Sequence, residues 1–62
     1  MNYKLTSVKI IKEIYRKFKS ETLEDNFTLQ KLVNNAMDLY NTDESFRTII
    51  HEYDYLNVSG SI

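Results

Sequence analysis

Lys4-Leu5-Thr6-Ser7-Val8-Lys9-Ile10 is short, basic and β-prone, and a helical periodicity follows it at once. Val, Ile and Thr favour the pleated backbone. By the period of two, Thr6, Val8 and Ile10 share one face, and Leu5, Ser7 and Lys9 share the other. The first face is the more apolar and is expected to look inward. A slip of one residue would turn Lys9 toward the core, so this register is preferred. No second strand is legible elsewhere in the chain. Either the segment frays, or it pairs with the same segment of a second copy.

Working outward, the period changes. Ile11, Ile14, Tyr15, Phe18 and Thr22 recur at three- and four-residue steps, between Lys12, Glu13, Arg16, Lys17, Lys19 and Ser20. That spacing predicts an amphipathic helix from about residue 11 to residue 23. Asp25-Asn26-Phe27-Thr28 reads as a turn and a cap: Asn tolerates the left-handed conformation, and Thr28 can accept a bond from the next helix's first amides. Leu29, Leu32, Val33, Ala36 and Tyr40, with Met37 at the edge, form a second stripe ending near Tyr40 or Asn41. Thr42 or Asp43 offers a further cap, and Phe46, Ile49, Ile50 and Tyr53 mark a third helix. Residues 57–62 read as a loose tail.

Composition bounds the possibilities. The chain has 62 residues, no proline, one glycine and no cysteine. A domain this small buries only about 60% of its unfolded surface. Small folds lean on disulfides, a metal or a partner subunit. Without cysteine, disulfides and thiolate metal sites are out of reach, and one histidine, His51, makes no metal site. No apolar run approaches the roughly 20 residues of a membrane span. No signal-peptide pattern opens the chain. The expected setting is cytoplasmic, with no membrane partner.

The net charge of −1 conceals a polarised distribution. Residues 1–20 set Lys4, Lys9, Lys12, Arg16, Lys17 and Lys19 against Glu13 alone, a balance of +5. Residues 21–62 set Lys31 and Arg47 against eight carboxylates, a balance of −6. A basic third of this kind attracts polyanions, and the distribution matters more than the sum. The plainer reading is a set of lysines that solvates a helix face.

A short strand, a helix, a turn and a second helix make up an order that resembles the ribbon-helix-helix family of MetJ/Arc type. Val8-Lys9-Ile10 is similar to the end of that family's strand. Glu13-Ile14-Tyr15 with Phe18 is similar to its first helix, Asn26-Phe27-Thr28-Leu29 to its inter-helix turn, and Leu32-Val33 with Ala36-Met37 to its second-helix core. The match runs ungapped from about Leu5 to Tyr40. It departs at Ile11, where the family often has proline, and at Asn26, where glycine is commoner. About twenty residues lie beyond the matched core.

The resemblance implies a mostly α fold with one short β-strand. It also implies an intertwined homodimer built on an intermolecular antiparallel two-stranded ribbon, here with a third, C-terminal helix. Residues 1–41 form the DNA-binding and dimerisation core, and residues 42–62 a helical extension with a loose tail. The ribbon would enter the major groove, placing Leu5, Ser7 and Lys9 against base edges. Lys9 suits guanine O6 and N7; Ser7 suits either base type, and Leu5 a thymine methyl. The backbone at Thr28 and Leu29 would grip a phosphate at a helix start. Lys4 and Lys12 would add phosphate contacts without sequence information.

The expected function is sequence-specific double-stranded DNA binding, as a transcriptional repressor of phage, plasmid or antitoxin type, with dimers able to pair on DNA. A plasmid-partition adaptor fits the same core. In these versions residues 42–62 are free to meet a protein partner, and Tyr53, Tyr55 and Leu56 are the expected surface. The rival is a small helical interaction module or inhibitor that does not bind DNA. No nucleophile motif, phosphate-binding glycine loop or metal spacing is legible, so neither an enzyme nor a cofactor is expected. His51, beside Glu52 and near Asp54, reads as a surface or packed residue.

Overall fold

In the computed structural model, residues 2–54 are described; Tyr55, Leu56 and the expected tail at 57–62 lie outside them. The order is α1 (Lys12–Glu21), α2 (Leu29–Thr42) and α3 (Glu44–Glu52). All regular structure among the described residues is helical. The expectation of a β-strand, and of a mixed fold built on a ribbon, is therefore corrected to an all-α class. Residues 2–11 are exposed and carry no regular structure. The physical reason lies in the segment itself. A strand forms through inter-strand hydrogen bonds, and β-propensity without a partner strand leaves the backbone bonded to water. The inward face expected of Thr6, Val8 and Ile10 does not form: Val8 is 74% exposed and Leu5, on the opposite face, 99%.

α1 is shorter than its periodicity suggested. Ile11 stands at the N-cap with extended backbone and no side-chain cap bond. At the other end Thr22 closes the helix early. Its amide and its hydroxyl both donate to the carbonyl of Phe18, at 3.0 and 2.9 Å. A turn over residues 22–26 follows, closed by the Asp25 amide on the Thr22 carbonyl at 3.2 Å. Asn26 leaves it at φ 57°. Phe27 then meets the Phe18 ring edge-on at 6.2 Å between centroids.

α2 begins where Thr28 accepts a bond from the Lys31 amide at 3.1 Å. It runs on to Thr42, whose hydroxyl donates to the Asp38 carbonyl. Asp43 then performs two tasks in one residue. Its amide donates to the Leu39 carbonyl at 2.7 Å, closing α2. Its carboxylate accepts from the Phe46 amide at 3.1 Å, opening α3. A joint this short forces α2 and α3 against one another, and they pack together. α1 packs on neither.

The described residues enclose no interior. Among the described residues none is buried; Ile14, Phe18, Phe27, Leu29, Ala36, Tyr40 and Phe46 are half-buried at most. The radius of gyration is 13.4 Å, against about 11 Å for a compact chain of this length. No helix among the described residues is long and apolar enough to cross a membrane.

Candidate nucleic-acid interface

The basic third of the chain is divided between two kinds of backbone. Lys4, Leu5, Ser7 and Lys9 lie in the exposed extended arm, and Lys12 is the first residue of α1. On α1, Lys12, Arg16, Lys17 and Lys19 project away from the stripe of Ile14, Tyr15 and Phe18, by helical spacing. Lys17 is drawn to Glu21 one turn on, at 3.6 Å, with both side chains mostly in solvent. An exposed pair of this type contributes about 0.2–0.5 kcal/mol and leaves the lysine able to meet another anion. The arm and α1 thus form a continuous, hydrated cationic run.

Thr28 and Leu29 stand apart from that run, beyond α1 and its turn. No hydrogen bond, ion pair or ring contact joins them to residues 4–12 among the described residues. Their local geometry is nevertheless that of a helix start open to an anion. The Thr28 hydroxyl already occupies the Lys31 amide. The amides of Leu29 and Gln30 precede the first intrahelical acceptor and face outward along the dipole. Lys31 lies 5.9 Å from the centroid of the Phe27 ring, which adds a positive charge at the same helix start. Lys31 was not among the residues that the sequence pattern marked; its place follows from Phe27 folding back beside α2.

A second cluster was also not legible in sequence. Arg47 stacks 5.3 Å from the Tyr40 ring centroid and donates to the carbonyls of Tyr40 and Asn41, at 3.1 and 3.3 Å. The His51 ring stacks on Tyr40 at 5.6 Å, and its Nε2 shares a 2.5 Å hydrogen bond with the Tyr40 hydroxyl. Arg47 thereby satisfies carbonyls that the end of α2 leaves open. Tyr40, read as an apolar stripe residue, is a polar joint as well. The cluster locks the α2–α3 corner. Nothing there pairs a nucleophile with a base and an orienting acid, and among the described residues no three His, Asp or Glu side chains gather for a metal.

Beside that corner, Ala36, Met37, Tyr40, Asn41, Phe46 and Ile50 line an open apolar groove of about 520 Å³. Set against protein-family models, curated proteins and solved structures, the chain matches none.

Proposed function

We propose that this chain is a double-stranded DNA-binding protein that acts as a homodimer, in the manner of a small transcriptional repressor. The observation that carries the reading is the concentration of charge: a balance of +5 over the first twenty residues, on an arm that is wholly exposed and a helix whose cations face solvent. The order of helix, Asn26 turn, Thr28 cap and helix adds support, since it is the part that resembles the ribbon-helix-helix family.

In this reading the arm orders on the DNA and its ordering costs entropy at that moment. Lys9 donates to a guanine edge, Ser7 to an adjacent base, and Leu5 covers a thymine methyl. Lys4 and Lys12 neutralise phosphates, and the amides behind Thr28 and Leu29 hold another. The acidic remainder keeps the dimer soluble and repels the duplex elsewhere, which limits the orientations that can bind.

The test is a gel-shift series against DNA from the chain's own upstream region, at rising salt. Lys4 and Lys12 of two copies give about four neutralised phosphates, so the logarithm of the association constant should fall with the logarithm of salt at a slope near −4. Lys12→Ala should take about two units from that slope. Lys9→Ala should lose about 1–3 kcal/mol of sequence discrimination per copy while staying folded. Binding that ignores salt, or a Lys9→Ala variant that holds its site as tightly as the parent, would exclude this assignment and favour a helical module that meets protein.

A further inference from the structure

Among the described residues, the groove beside α3 and the stripe on α1 are two exposed apolar surfaces of complementary form. Helix-in-groove recognition presents apolar anchors at i, i+3, i+4 and i+7. α1 and its cap carry that set in Ile11, Ile14, Tyr15 and Phe18. The receiving surface is the groove lined by Ala36, Met37, Tyr40, Phe46 and Ile50, with Met37 64% exposed at its lip. α1 of the same chain does not occupy it, because α1 packs on neither other helix.

Charge points to the same pairing. Lys12, Arg16, Lys17 and Lys19 against Glu13 and Glu21 give α1 a balance of +2. From Leu29 to Asp54, Lys31 and Arg47 against Asp38, Asp43, Glu44, Glu52 and Asp54 give −3. A cationic helix is therefore drawn to the acidic α2–α3 pair.

We propose that α1 of a second copy lies in the α2–α3 groove, and that the exchange is reciprocal. Each copy gives one helix and receives one, so the assembly closes at two. The cations of α1, on the side away from its stripe, stay in solvent. The proposal deepens the homodimer part of the function above and makes no use of DNA.

The chain has no cysteine, so engineered thiols report cleanly. A Tyr15→Cys chain and a Met37→Cys chain are mixed in equal amounts in a glutathione redox buffer and run on a non-reducing gel. The mixed disulfide should exceed either homodisulfide several-fold beyond random pairing. A random distribution, or no covalent dimer, overturns the proposal. So does a Tyr15→Cys/Met37→Cys chain that closes its disulfide within one molecule.

Sedimentation gives a second reading that does not depend on thiols. Ile14→Asp spoils the donated helix and Ile50→Asp the receiving groove, so each variant alone should be monomeric. Their mixture retains one intact helix–groove pair and should recover a heterodimer; a mixture that stays monomeric overturns the exchange. If exchange is seen and the gel shift fails, the dimer stands and the nucleic-acid reading falls. If exchange fails and the salt-dependent shift appears, DNA binding stands on another assembly.

Discussion

Asn26 is the only non-glycine residue at positive φ among the described residues, at 57°. The left-handed region costs an ordinary L-residue roughly 1–2 kcal/mol, and Asn escapes much of that through its short polar side chain. Asn26 sets where the chain leaves the turn, and so where Phe27 meets Phe18 and where Thr28 can cap α2. Asn26→Val should destabilise the fold by about 1–2 kcal/mol, and Asn26→Gly should be neutral or better. Urea titration followed by circular dichroism reads both. Equal stabilities for the two variants would mean that the turn does not hold this geometry in solution. Arg47 is the other residue with influence beyond its size. Its planar fork reaches two carbonyls and a ring at once. A lysine there would keep the charge and lose the stacking.

At the scale of elements, the two caps differ in what they control. Thr28 starts α2: its hydroxyl accepts from the Lys31 amide and its carbonyl from the Leu32 amide, both within the same helix start. Asp43 ends one helix and begins the next. Replacing either side chain by alanine should cost about 0.5–2 kcal/mol. Asp43→Ala should also loosen the α2–α3 corner, because the Tyr40, Arg47 and His51 stack depends on the angle it sets. Near-ultraviolet circular dichroism of the tyrosines separates the cases: Thr28→Ala should leave the signal in place, and Asp43→Ala should weaken it. α1 has no side-chain N-cap bond and packs on neither α2 nor α3; Phe18 meets Phe27 of the following turn. At ten residues it is shorter than the roughly 12–15 at which isolated helices become marginally stable in water. In the proposed exchange its stability comes from the groove of the second copy.

At the scale of the whole molecule, three amphipathic helices with no buried residue among those described make a surface in search of a partner. A dimer held by apolar exchange unfolds and dissociates together, so its melting temperature depends on concentration. Each tenfold rise in protein adds about 1.4 kcal/mol per dimer, which should raise the melting temperature by several degrees. A melting temperature constant from micromolar to millimolar protein would show a stable monomer, and the exposed stripes would then need a different account.

The three helices, the left-handed Asn26 and the Thr28 cap were legible in sequence because each depends on residues within one or two turns of itself. The same local reasoning misjudged the stretch from Lys4 to Ile10. Its alternation and β-branched residues describe how it would sit in a sheet, but a strand exists only where another strand accepts its hydrogen bonds. The end of α1 was misplaced as well, because the Thr22 hydroxyl competes for the Phe18 carbonyl. Of the candidate interface, sequence alone determined the charge and its position along the chain. The tertiary structure decided that the arm is open, that Thr28 stands apart from it, and that α1 leaves its own chain's groove empty. It also brought Tyr40, Arg47 and His51 together across the Asp43 break, where no helical period connects them. Local order follows from neighbouring residues, whereas burial and pairing belong to surfaces that meet only after the chain has folded.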